Sequence, residues 1–179
     1  MEEPDPQVVA AAQRGRASAF ETLVRAYQAP VWRLVFQLVR DQQLAEDVTQ
    51  ETFLRAYRFL PRYHGKSKFS PWLLSVARNC AMDELRRHQR RKRLDDKLRA
   101  RPDPPTLEYG GRIEVQEALA TLPVELREPI VLIDMLGTSY AEAAVILQSP
   151  VGTVKSRVHR GRITLASALG PAVEEVDGR

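Results

Sequence analysis

The sequence predicts an all-α protein of two small helical domains joined by a flexible linker, the C-terminal one built on a helix-turn-helix. Three observations carry this. Apolar residues recur at helical spacing almost throughout, and no alternating β-branched run bounded by turn residues argues for a sheet. The stretch "KRLDDKLRARPDPPTLEYGGR" interrupts that pattern with prolines, a glycine pair and dense charge. Near the C-terminus two short helical segments meet across "QSP", and the second, "PVGTVKSRVHRGR", is basic. The predicted boundaries are residues 1–91, a linker at 92–112 and residues 113–179.

The first helix, in "VVAAAQRG", ends at Gly15. A second follows through "SAFETLVRAYQAPVWRLVFQLV", with Ser18 as N-cap and Glu21 completing a capping box. Pro30 inside it predicts a kink or a break. The third starts near Asp41 and runs to Pro61. Its Leu44, Val48, Glu51 and Arg55 fall on one side, while Asp47, Phe53, Leu54 and Tyr57 occupy others, so it is not simply two-faced. After the polar loop "PRYHGKSKF", Ser70 is placed to cap a fourth helix with Pro71 at its first position.

At about 100° per residue, Asn79, Asp83, Arg86, Arg87 and Arg90 of that helix cluster within roughly 60°. Leu73, Ala77, Cys80 and Ala81 form the opposite, packing side. Trp72 and Val76 extend the polar stripe toward the N-terminus and set an aromatic beside a basic surface, where a base could stack. "RRHQRRKR" adds positive charge that a solvated helix end would also accommodate; with the Lys-rich "HGKSK" loop, phosphate contact is the better reading.

Beyond the linker, helices are predicted at 113–121, 124–136, 139–147 and 150–169. Ser139 and Glu142 make a second capping box at the start of "SYAEAAVIL". In the last helix Val154, Val158, Gly161 and Leu165 form an apolar seam, flanked by Lys155 and Arg162. Thr153, Ser156, Arg157 and Arg160 form a separate face whose hydroxyls and guanidinium groups suit a DNA groove.

Composition narrows the function classes. With 179 residues, 44% hydrophobic, the chain can build a packed core, and a net charge of +4 weakly favours a polyanionic partner. The single cysteine, Cys80, permits no intramolecular disulfide and reads as a small buried hydrophobe; His64, His88 and His159 are scattered, so no metal or cofactor is expected. Asp47 and Glu51, one helical turn apart, read as surface acids, and without paired catalytic groups or a phosphate-cradling loop the chain is not expected to be an enzyme. The acidic start "MEEPDPQ" and the lack of a long apolar run predict a cytoplasmic protein with no direct membrane insertion.

Four stretches, "AEDVTQETFLRAYR", "FSPWLLSVARNCAMDELRR", "LPVELREPIVLIDMLGTSYAEAAVIL" and "PVGTVKSRVHRGR", in this order around a linker, resemble a bacterial RNA polymerase sigma factor of the extracytoplasmic-function group. The resemblance covers about residues 8–169. It implies a promoter-specificity subunit acting with core RNA polymerase. Residues 45–58 would dock on the polymerase through Asp47, Gln50, Glu51, Phe53 and Leu54. Loop 61–70 and the helix after it would recognise and open the −10 element through Tyr63, Lys66, Lys68, Trp72, Asn79, Asp83, Arg86 and Arg87. Thr153, Lys155, Ser156, Arg157 and Arg160 would read the −35 element as duplex. The family also implies an anti-sigma factor, often membrane-anchored. Gln148 and Ser149 depart from the family's Gly-apolar turn, and Ala143 replaces a larger aliphatic, which implies a less tightly packed hairpin. The competing reading is a free-standing helix-turn-helix regulator that binds duplex DNA as a dimer; it would have no use for the 45–58 surface or for an aromatic strand-opening helix.

Overall fold

The computed structural model describes residues 2–65, 67–95 and 113–169, so Lys66 and most of the predicted linker lie outside the described residues. Eight α-helices account for nearly all of the described chain: α1 (Pro6–Gln13), α2 (Ala17–Val39), α3 (Gln42–Phe59), α4 (Phe69–Asp95), α5 (Ile113–Thr121), α6 (Val124–Ile130), α7 (Tyr140–Leu147) and α8 (Val151–Leu169). A single 3-10 turn, Leu60–Arg62, follows α3, and a π turn, Val131–Met135, follows α6.

Local signals explain most of the boundaries. Asp5 caps α1 by accepting from the Gln7 N–H at 2.7 Å, and Gly15 turns the chain at φ 83°. Asp41 caps α3 by accepting from the Leu44 N–H at 2.7 Å. The Ser139–Glu142 capping box closes at the start of α7.

Four expectations need correction. Ser18 does not cap α2. The tight turn at Gly15 leaves Arg16 as the N-cap, its carbonyl accepting from Ala19 and Phe20, and Glu21 pairs with Arg25 instead. Of the kink or break expected at Pro30, the break does not occur: α2 runs unbroken to Val39. Proline forfeits one bond, to the carbonyl of exposed Ala26, while Tyr27, Val31, Leu34, Val35 and Leu38 stay packed along the other side. Ser70 does not cap α4; the helix begins at Phe69, Pro71 falls third, and the cap comes from far along the chain, at Glu3. Finally, the segment 124–136, expected as one helix, widens from α6 into the π turn after Pro129, with Leu136 N–H bonding to Val131 O.

The helices α1–α4 pack around α2, whose Leu23, Tyr27, Val31, Leu34 and Val35 are at most 2% exposed. Leu73, Ala77, Cys80 and Ala81 of α4 close this core as the sequence pattern predicts, and Leu74 joins them. In the second half α8 packs on α5, α6 and α7. The halves also meet: α7 lies on α4 and α6 on α2, and one hydrophobic cluster runs through both, taking in Leu132, Ala143, Ile146 and Val158. Polar links cross the same contact. Arg78 donates to the Glu128 carboxylate at 3.0 and 3.2 Å, Lys68 pairs with Glu142 at 2.9 Å, and Gln37 donates to Gln116 at 2.6 Å.

Candidate nucleic-acid interface

The loop between α3 and α4 is held from several directions. Its Tyr63 packs against Phe69 and Trp72, with ring centroids 6.0 and 5.1 Å away, and Phe69 in turn meets Tyr27 at 5.4 Å. The Tyr63 hydroxyl donates to Ser67 O at 2.6 Å, and Gln13 on α1 donates to the carbonyls of Tyr63 at 2.7 Å and Leu60 at 3.3 Å. Beside this cluster lies a hollow of about 560 Å³, walled by the loop on one side and by residues 3–13 on the other. Burial, with the nearby Glu3 charge adding, raises the Tyr63 pKa, so the phenol stays a neutral hydrogen-bonding group. The loop thus offers half-buried aromatic rings next to a cavity large enough for one nucleobase.

Along α4 the predicted stripe divides by partner. Asn79 is exposed. Asp83 accepts from Arg55 of α3 at 3.1 Å and from Arg86 at 3.4 Å, so its carboxylate is already engaged by two cations. Arg55 also grips Glu51 at 2.7 Å, and these two carboxylates raise its pKa. Arg87 and Arg91 bracket Glu84. Each arginine remains about 60% exposed and can swap its carboxylate for a phosphate at little cost, because exposed pairs contribute little to stability. Lys68 is paired with Glu142 across the two halves.

The helix-turn-helix is formed by α7 and α8. Val154, Val158 and Gly161 bury the seam of α8, and Ala143, Ile146 and Leu147 bury the matching side of α7. Gln148 takes the left-handed conformation that the turn requires, at φ 51°, and Ser149 Oγ donates to Leu147 O at 3.2 Å. Ala143 is fully buried, so the small side chain leaves no opening to solvent. On the outer face Lys155, Ser156 and Arg160 are exposed, whereas Thr153 and Arg157 are half-buried. Arg157 leans back toward Ser149 Oγ at 3.5 Å, and Lys155 lies over the Tyr140 ring at 5.9 Å.

The α3 residues read as a docking surface do not behave alike. Asp47, Gln50 and Leu54 are exposed, Leu54 by 48%. Phe53 is only 9% exposed and forms the floor of an apolar groove of about 660 Å³ between α2 and α3, while Glu51 is occupied by Arg55. Phe20, Val24, Trp32 and Tyr57 line the same groove, and sequence reasoning missed them as a surface. The surplus of apolar residues on α2, beyond those needed for one core face, was the available signal.

Among the described residues no group of His, Cys, Asp and Glu could hold a metal, and no helix is long and apolar enough to cross a membrane.

A helix-turn-helix with a cationic outer face, in one chain with helices that carry their own basic and aromatic surface, is the outline of a DNA-binding protein. Comparison with known proteins agrees. Residues 23–91 match the family model for sigma-70 region 2, and residues 112–165 match that for sigma-70 region 4. The RNA polymerase sigma-H factor of Pseudomonas aeruginosa is 35% identical, over 97% of this chain and 98% of its own. The ECF RNA polymerase sigma factor SigC of Mycobacterium tuberculosis is 38% identical, over 89% of this chain and 88% of its own. Among solved structures, the sigma factor RpoE in complex with the anti-sigma factor NepR from Bartonella quintana superposes with a TM-score of 0.74 at 26% identity, covering 89% of this chain and 98% of that one. CnrH in complex with the cytosolic domain of CnrY gives 0.71 at 28%, covering 90% and 94%. The chain belongs to the extracytoplasmic-function group of sigma-70 RNA polymerase sigma factors, and its function is promoter-specific transcription initiation.

Proposed function

We propose that the two halves divide promoter recognition, with residues 1–91 engaging core polymerase and the −10 element and residues 113–179 engaging the −35 element. The chain performs no catalysis. It acts in the cytoplasm by lending binding energy and position to the polymerase. On α8, Arg157 and Arg160 enter the major groove with Thr153 and Ser156, while Lys155 holds the flanking phosphates. At the −10 element a non-template base leaves the stack and enters the hollow beside Tyr63 and Trp72. Asn79 contributes an amide on the exposed face of α4, and Arg86 and Arg87 trade their intrahelical carboxylates for phosphates. Lys68 exchanges Glu142 for the DNA backbone in the same way. Stacking and phosphate contacts then offset the unstacking cost, about a few kcal/mol per base.

The observation that carries this reading is the aromatic cluster beside the hollow at the start of α4. A duplex-only regulator needs α7 and α8 but gains nothing from a half-buried stacking platform in another domain. Polymerase docks on the α2–α3 groove and its rim, through Leu54, Gln50 and Asp47, with Phe53 as the groove floor. The solved sigma factor RpoE is bound to the anti-sigma factor NepR, which supports an anti-sigma partner for this chain as well. The test is run-off transcription by core polymerase on a promoter library, with and without the protein. Specific transcripts that depend on the protein are expected; unchanged transcription would reject the reading.

A further inference from the structure

We propose that Glu3 is a positioning residue for strand opening, acting through the loop and the first turn of α4 without touching DNA. The proposal rests on the reading of this loop as the −10 contact.

The first turn of any helix leaves N–H groups without intrahelical partners, and a nearby side chain usually supplies the acceptor. In α4 the local candidate, Ser70, is diverted: its hydroxyl shares a hydrogen bond of 3.0 Å with the Tyr27 hydroxyl. The acceptor is instead the Glu3 carboxylate, which takes the N–H of Phe69 at 3.0 Å and that of Ser70 at 3.2 Å. Its negative charge also sits at the positive end of a helix that continues to Asp95. The strap that carries Glu3 is itself tied down, because Tyr27 donates to Glu2 O at 2.7 Å. One helix further on, Gln13 holds the carbonyls of Leu60 and Tyr63.

These contacts share one consequence. Phe69, whose N–H Glu3 holds, packs against Tyr63 and Trp72, the rings proposed to meet the unpaired base. Glu3 also walls the hollow opposite the loop. Fixing the start of α4 therefore fixes the platform before DNA arrives, so ordering it costs nothing at the moment of opening. Without Glu3 the first turn can fray and the rings lose their register. Contacts elsewhere, on α8 and in the α2–α3 groove, do not involve the strap.

The experiment uses the full chain with core polymerase and reads permanganate reactivity of unpaired −10 thymines, alongside core association and −35-dependent duplex binding. Glu3→Ala is expected to lower opening roughly fivefold, the factor that one lost cap corresponds to, with core association and duplex binding unchanged. Glu3→Gln keeps an acceptor oxygen and should recover part of the loss. Asn79→Ala, on the exposed face of α4, serves as the reference for the −10 reading. If Glu3→Ala opens promoters like the parent while Asn79→Ala does not, the Glu3 proposal alone falls. If both are silent, the −10 reading falls and takes the proposal with it. Equal losses in opening and core association for Glu3→Ala would mark a general folding role and also overturn it.

Discussion

Replacing Glu142 by glutamine removes one negative charge from the first turn of α7 yet leaves the capping box able to close, since glutamine can still accept from the Ser139 N–H. The Ser139 N–H bond and the Lys68 ammonium hold the Glu142 carboxyl down from 4.5 to about 2. That depression corresponds to about 3 kcal/mol of folded-state preference for the anion. Lys68 is 64% exposed, so its share is screened by solvent, and about 2 kcal/mol is the better figure at neutral pH. The sign follows from a lowered folded pKa: the contribution is complete above the unfolded value of 4.5 and disappears as pH falls toward about 2. Urea unfolding of the parent and Glu142→Gln at several pH values provides the assay. The parent should be more stable by about 2 kcal/mol at pH 7, and the gap should close through the acid range. A gap that is absent at pH 7, or that persists undiminished in acid, would refute the charge argument.

The remaining expectations concern the other surfaces. Phe53→Ala should cost about 3 kcal/mol in stability because the ring is packed in the groove floor, whereas Leu54→Glu should leave the unfolding midpoint unchanged and weaken core association roughly tenfold; equilibrium unfolding and a polymerase pull-down separate the two. Arg157→Ala and Arg160→Ala should each reduce −35-dependent initiation by about 1–3 kcal/mol, with little effect on promoters that lack that element, as run-off assays would record. Arg78→Ala strands the buried Glu128 charge, a loss of about 3 kcal/mol in a rigid interior. Parting of the two halves would rehydrate Glu128, so small-angle scattering of the variant should show a larger radius of gyration than the parent.

Helix positions and the two packing faces were legible because they follow from periodicity: Leu73, Ala77, Cys80 and Ala81 are buried, and Val154 and Val158 form the hidden seam. The capping box at Ser139 was legible because all of its partners lie within four residues. What could not be read depends on groups distant in the chain. Ser18 carries the local signature of a cap, yet Gly15 turns the chain so sharply that the helix starts before it. Ser70 carries the same signature, yet Tyr27 and Glu3 arrive from other elements and reassign it. Asp83 fell on the polar stripe by angle alone, and only the packing of α3 on α4 shows that Arg55 claims it. Phe53 was read as part of a docking surface yet lies in the groove floor, because periodicity cannot tell a groove floor from a groove rim. The contact between the halves, through Arg78–Glu128 and Lys68–Glu142, leaves no sequence signal, since each pair is separated by tens of residues and by the linker.

The most direct test of the account is a footprint on a promoter taken from the run-off library, made with the protein alone and with the protein bound to core polymerase. The account predicts that protection at both elements and permanganate-reactive thymines at −10 appear only with the polymerase. A specific footprint from the protein alone, unchanged when polymerase is added, would contradict it.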